Sequence, residues 1–199
     1  AERPALTPHE ERVVATHEAG HAVVALFTPH SPPIDRMSIR GDLSGSLGFV
    51  SYADPSHRYV VTHQQLVDQI CTLYGGREAE LLFFEDLSIG SAADIQRATD
   101  VARALVEQFG MGGPTMAVQH VDNQNNERSM SETMLQAVEQ QVAQILDEQR
   151  LRAGRILKEH AQLVSTLRDM LIEKKVVDRE TLSTIFPSVS KAANSTEEA

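Results

Sequence analysis

The chain has 199 residues, of which 41% are hydrophobic but only 5% aromatic, with no Trp and a formal net charge of −10. Its length suits one domain with a real core, and its wealth of Ala, Leu, Val, Gln and Glu favours helices over sheet. The acidic balance argues against a nucleic-acid partner, because phosphate contacts need Lys and Arg. A single cysteine, Cys71, excludes an internal disulfide framework and a cysteine-only metal site. No apolar run reaches the roughly 18 residues that a membrane span requires. The chain starts on Ala1 rather than Met and carries no signal peptide, so it reads as an excised or processed piece whose membrane anchor would lie elsewhere.

The first helix is predicted to begin at Thr7-Pro8. Thr7 suits the N-cap, Pro8 the first helical position, and Glu10 completes a capping box. Val13, Val14, Ala15, Ala19, Ala22 and Val23 make it apolar on nearly every side, so it is expected to be buried and to end by Pro29. Inside it stands His17-Glu18-Ala19-Gly20-His21, an H-E-x-x-H pentapeptide. Residues four apart share a helix face, so the two imidazoles can grip one Zn²⁺ while Glu18 reaches a water beside it. Without a metal, burying two His and a Glu would cost several kcal/mol unless each found a partner.

A Pro-rich loop follows, and residues 34–40 then alternate with the period of a strand. Residues 41–46 read as a turn and 47–52 as a second strand, the two forming a hairpin. A helical pattern over 62–84 is interrupted by Gly75-Gly76, a costly pair that a close packing contact would explain. Cys71 falls within it as a small buried hydrophobe. Residues 91–109 form a further helix, ended by Gly110, and 111–130 a long loop with a short strand at 115–119. Residues 131–159 carry an amphipathic helix with Leu135, Val138, Val142, Ile145 and Leu146 on its stripe. Leu163, Leu167, Met170 and Leu171 mark another helix, and 178–185 a short last one. Residues 187–199 read as a disordered polar tail. The fold class is therefore mainly α with a small β-sheet or hairpin.

A catalytic zinc usually takes three protein ligands. The metzincin pattern would place a third His where Phe27 stands, which excludes that class. Asp94, in Gly90-Ser91-Ala92-Ala93-Asp94-Ile95, is one candidate; the same Ser91-x-x-Asp94 spacing equally fits a helix-start cap. Glu78, Glu80 and Glu85 are alternatives, although Glu78 and Glu80 also suit a solvated helix face. His9, His30, His57, His63, His120 and His160 lack ligand spacing and read as surface residues.

Four ordered blocks carry a resemblance: the pentapeptide at 17–21, Leu73-Tyr74-Gly75-Gly76-Arg77-Glu78-Ala79-Glu80, Gly90-Ser91-Ala92-Ala93-Asp94-Ile95, and Ala98-Thr99-Asp100-Val101-Ala102-Arg103. With Met130-Ser131-Glu132-Thr133 at the start of the long helix, they resemble the peptidase domain of FtsH-type ATP-dependent zinc metalloproteases. The resemblance implies a zinc metallopeptidase domain over 1–186, Zn²⁺ held by His17, His21 and Asp94, and Glu18 as general base. It implies hydrolysis of unfolded or membrane-associated proteins, feeding by an AAA ATPase module, homo-hexamers, and anchoring at the cytoplasmic face of a membrane by segments outside this chain. The chain contains no G-x-x-x-x-G-K-[ST] segment, so ATP hydrolysis is assigned elsewhere. An extended substrate could pair with the edge of strand 47–52, making Leu47, Gly48, Phe49 and Val50 candidate contacts; the plainer reading is a structural strand. The sequence departs from the family's pattern at Ala93, commonly Asn, and along 40–47. Those departures leave room for a rival, a catalytically weak or inactive peptidase-like oligomerisation scaffold. A second rival, peptide deformylase, needs a Cys ligand in a context that Cys71 lacks.

Overall fold

A Thr-Pro start and a run of small apolar residues build the helix around which the other elements pack. In the computed structural model, which describes residues 6–40, 47–53, 60–113 and 131–185, helix α1 spans Pro8–Leu26. Thr7 Oγ1 accepts the Glu10 N–H at 3.3 Å, and the Glu10 carboxylate accepts the Thr7 N–H at 2.7 Å, which is the predicted capping box. At the other end the Thr28 hydroxyl donates to the Val24 carbonyl at 2.9 Å, which also accepts the Phe27 N–H at 3.2 Å. Residues 15–25 are all buried, as an all-round apolar helix must be. Helices α3 (Gly75–Phe84) and α6 (Ala161–Lys174) are its main neighbours.

Contact between α1 and α3 is backbone to backbone. A methyl placed on Gly20 would overlap the Gly75 carbonyl, and one on Gly75 would lie 2.7 Å from the Gly20 carbonyl oxygen. This is the packing reason for the glycine pair. Rather than interrupting one helix, the pair opens a new one: α2 (His63–Leu73) ends at Tyr74 and α3 begins at Gly75. Cys71 is fully buried, and burial pushes its thiol up to about 12.

The expected hairpin is present as β1 (Ile34–Ser38) and β2 (Phe49–Tyr52), antiparallel, with Ile34 opposite Tyr52 and Ser38 opposite Phe49. It forms part of a three-stranded antiparallel sheet in the order β2-β1-β3. The unforeseen third strand, β3 (Val176–Asp178), pairs Val177 with the buried Met37. Its three residues are too few to show a period of two between two helical patterns. Lys175, left-handed at φ 65°, ends α6 and turns the chain into β3, and its ammonium pairs with Glu11 of α1 at 2.5 Å.

The helix expected over 91–109 is composite. A 3₁₀ turn, Ile89–Ser91, leads into α4 (Ala92–Arg103), and a π-helical stretch, Ala104–Gln108, follows before Gly110 (φ 61°) ends it. Helix α5 (Glu132–Glu159) covers α2 and α3 through Val138, Val142, Ile145, Ala153 and Leu157. Leu135, expected on that stripe, is 47% exposed instead. The short α7 (Arg179–Ile185) closes the domain through Leu182. No helix among the described residues is long and apolar enough to cross a membrane. The strand expected at 115–119, the turn at 41–46 and the tail at 187–199 lie outside the described residues.

Candidate metal centre

His17 and His21 sit one turn apart on α1, with ring centroids 4.7 Å apart and planes at 75°. Each ring is held by its Nδ1. His21 Nδ1 lies 2.8 Å from the Thr72 carbonyl oxygen, which can only accept, so Nδ1 carries the hydrogen. His17 Nδ1 lies 2.6 Å from Glu80 Oε1. Glu80 also accepts from the Ser88 backbone N–H at 2.7 Å and the Ser88 hydroxyl at 3.1 Å. Burial opposes its charge, but these bonds hold the Glu80 carboxyl below the usual range. An ionised Glu80 makes His17 Nδ1 the donor as well. In the neutral form of each ring Nε2 is therefore the lone pair that a metal would take, and the two Nε2 atoms lie 3.0 Å apart.

Asp94 completes the cluster. Its Oδ2 lies 3.3 Å from His17 Nε2 and 3.3 Å from His21 Nε2. Desolvation works against its charge, yet hydrogen bonds donated by the rings, His17 first, with Nε2 protonated in place of a metal, hold it far below the usual carboxylate range. The two readings of Ser91-x-x-Asp94 separate here. Ser91 makes no side-chain cap bond to α4 and is buried against Ser88, whereas Asp94, in the first turn, meets the two rings.

Three electron-rich atoms converging in this way call for a cation. Burial alone would depress the His17 pKa, but hydrogen bonds to Asp94 and Glu80, with the charge of Glu18, raise it to about 9. A field that favours a proton so strongly also favours a divalent ion. The ligand atoms of His17, His21 and Asp94 all lie within 4.8 Å of one another, and two imidazoles with a carboxylate are a donor set that suits zinc. The residues present therefore fit a metal ion.

Glu18 is buried beside the cluster, and desolvation raises its carboxyl pKa. Gly48 presses on it from the segment leading into β2. A methyl there would lie 2.7 Å from Glu18 Oε1, so only glycine lets the strand come down onto the carboxylate. Leu47, Gly48, Phe49 and Val50 all line a cleft of about 1360 Å³ that also contains His17, Glu18, His21 and Asp94. β2 is the outer strand of the sheet on that side.

Glu80 was read as a solvated face residue and is only 2% exposed. The fold explains its burial. Gly76 lies against the His17 ring, where a methyl would collide with the imidazole, and Glu80 follows Gly76 by four residues on the same face. Glu78 is also buried, paired with Arg77 and facing Arg150 at 3.8 Å. The Thr72 carbonyl had no signal, because a backbone contact carries no residue identity.

Residues 4–185 match the model for Peptidase family M41. The chain is 36% identical over 190 residues to the ATP-dependent zinc metalloprotease FtsH of Pseudothermotoga lettingae, covering 91% of this chain and 30% of that protein. It is 34% identical over 188 residues to the FtsH of Syntrophobacter fumaroxidans, with 89% and 29% covered. With the FtsH of Thermotoga maritima it shares 31% over 190 residues, with 91% and 31% covered. It thus spans about three tenths of the length of these relatives. On the family match, the ordered motifs and the fold together, the chain belongs to peptidase family M41.

Proposed function

We propose that this domain is a zinc-dependent endopeptidase that hydrolyses peptide bonds of unfolded or membrane-associated proteins. The observation that carries this reading is the convergence of His17 Nε2, His21 Nε2 and Asp94 Oδ2 at 3.0 to 3.3 Å, with Glu18 beside them in an open cleft. His17, His21 and Asp94 would hold the ion, oriented by Glu80 and the Thr72 carbonyl. A bound zinc supplies Lewis acidity, which brings the pKa of water to near neutrality and polarises a peptide carbonyl. Glu18 takes a proton from the attacking water and delivers it to the departing amine. Its buried setting suits that task, because a raised carboxyl pKa makes it a better base. The outer edge of β2, with Leu47, Gly48, Phe49 and Val50, pairs with the substrate backbone and draws it past Glu18.

The relatives are named ATP-dependent, and this sequence holds no phosphate-binding G-x-x-x-x-G-K-[ST] segment. We therefore assign unfolding and feeding to an AAA ATPase module, with the working form a homo-hexamer anchored at the cytoplasmic face of a membrane from outside this chain.

The test is cleavage of unfolded casein by zinc-loaded protein, with and without a chelator, beside Glu18→Gln. Glu18→Gln should keep its zinc and lose about 10²- to 10⁴-fold in rate, the usual worth of a general base. Zinc binding with no cleavage by the parent protein would favour the scaffold reading instead.

A further inference from the structure

The cleft has two unlike ends. Towards the start of α1 it is lined by Leu6, His9, Glu10, Val13 and Val14, and at the other end by His30 and Ser31, just past α1, with Gln65 and Gln69 of α2. His30 was read as a plain surface residue, yet it is the best supported group at the polar end. Its backbone N–H reaches Asp68 Oδ2 at 2.9 Å and its ring Nδ1 reaches the same oxygen at 3.1 Å. Asp68 is fully buried, and its other oxygen accepts from Arg152 Nη1 at 2.7 Å and Gln64 Nε2 at 3.1 Å. Burial opposes the charge on Asp68, but the bonds from the His30 backbone, Arg152 and Gln64 hold its carboxyl below the ordinary value.

An ionised carboxylate only accepts, so His30 Nδ1 is the donor in this pair. Nε2 of the neutral ring is then an acceptor. It has no partner among the described residues, and the side chain is 47% exposed in the cleft wall. Such an arrangement exceeds what a surface histidine needs. One nitrogen is anchored to a buried, fully bonded carboxylate, and the other is left open to the cleft.

Strand β2 links this end to the centre. Gly48, just ahead of β2, lies on Glu18, while the Ala53 N–H, just beyond β2, bonds the Pro33 carbonyl at 2.8 Å, three residues from His30. His30 lines the same cleft as His17, Glu18, His21 and the β2 residues Phe49 and Val50, so a substrate laid along the cleft past Glu18 has His30 in its wall.

We propose that His30 forms a substrate subsite whose Nε2 accepts a hydrogen bond from a donor-bearing side chain, Lys, Arg, Asn or Gln, on one side of the scissile bond. This rests on the peptidase reading above. One such bond is worth about 0.5–1.5 kcal/mol, a preference of about 2- to 10-fold. Aspartate and glutamate are disfavoured there, because carboxylate oxygens would face a lone pair.

The experiment profiles cleavage sites in a mixed peptide library by mass spectrometry. It uses the 199-residue chain and its His30→Leu and His30→Gln variants. The parent should show donor-bearing residues enriched at one position, on one side of the cut. His30→Leu should lose that enrichment, and His30→Gln, whose amide oxygen is again an acceptor, should regain part of it. Zinc content, melting temperature and the rate on a peptide too short to reach His30 should stay at parental values in both variants. A parent that cuts with a profile identical to that of His30→Leu overturns this subsite alone. A zinc-loaded parent that cuts nothing overturns the peptidase reading and the subsite with it.

Discussion

Helices α1 and α5 use their polar residues in opposite ways. Helix α5 buries five of its 28 residues, whereas α1 buries 11 of 19. On α5 polar side chains pair along the surface, Arg150 with Asp147 at 2.7 Å as an ion pair and Gln144 donating to Glu148 at 2.9 Å, in contacts each worth a few tenths of a kcal/mol. Water would serve them nearly as well. Along the buried stretch of α1 little water reaches the side chains, so a polar group there needs a protein partner or a ligand. Thr16 bonds the Arg12 carbonyl at 2.8 Å, and His17 and His21 are held through Nδ1, which leaves Nε2 for something else. Most polar residues of α5 face solvent, a few such as Arg152 reaching in to a buried carboxylate, whereas His17, Glu18 and His21 of α1 converge on the centre.

The sharpest way to break this contrast is Gly20→Ala. On α1 the added methyl meets the Gly75 carbonyl and the Ala79 side chain, and neither can move without shifting α3. Overpacking of this kind costs about 1–3 kcal/mol, and a backbone obstacle puts it at the upper end. For a chain of this size that is a fall of about 6–12 °C in melting temperature, read by thermal denaturation. Since α3 carries Glu80, zinc retention should fall with it. A variant that melts within about 2 °C of the parent would mean that α1 and α3 are not pressed together at this glycine.

Glu80→Gln comes next. Fold and burial should survive, but the charge that fixes the His17 tautomer is gone. Loss of such an outer partner typically lowers metal affinity about 10- to 100-fold, measurable by competition with a chromophoric chelator. The matched change on α5, Glu139→Gln, removes a half-exposed charge paired with Arg103 at 2.7 Å, and should leave affinity unchanged and stability within about 0.5 kcal/mol. Equal effects from the two would remove the distinction between the helices.

Much of this was readable in the sequence, and what was missed has a common physical cause. The capping box, the burial of α1 and the helical spacing of His17 and His21 follow from local pattern alone. Asp94 did not: on spacing, cap and ligand were equal readings, only the resemblance favoured a ligand, and it took the fold to put its carboxylate against the two rings. Glu80, Asp68 and β3 depend on which elements meet. A glutamate on an amphipathic helix looks solvated until another helix covers it, and a three-residue strand exists only because β1 offers it an edge. Pairing between elements far apart in the chain leaves little trace in local periodicity.

Gly154→Ala, the mildest change, should move stability the other way. Gly154 lies inside α5, where glycine is less favourable than alanine by about 1 kcal/mol through the freedom its backbone loses on folding. A methyl there would stand 3.5 Å from Glu78 Oε2, an ordinary contact with a side chain rather than with backbone. That carboxylate keeps its pairing with Arg77 and its approach to Arg150, so little electrostatic loss offsets the gain. The expected result is a stabilisation of about 0.5–1 kcal/mol, seen as a rise of about 1–4 °C in melting temperature with zinc content unchanged. The substitution is chemically identical to Gly20→Ala and also falls in a helix interior, so opposite signs can come only from what each helix faces. If Gly154→Ala melted below the parent, the Glu78 carboxylate would need the open space that glycine leaves, and α5 would carry a constraint of the kind that governs α1.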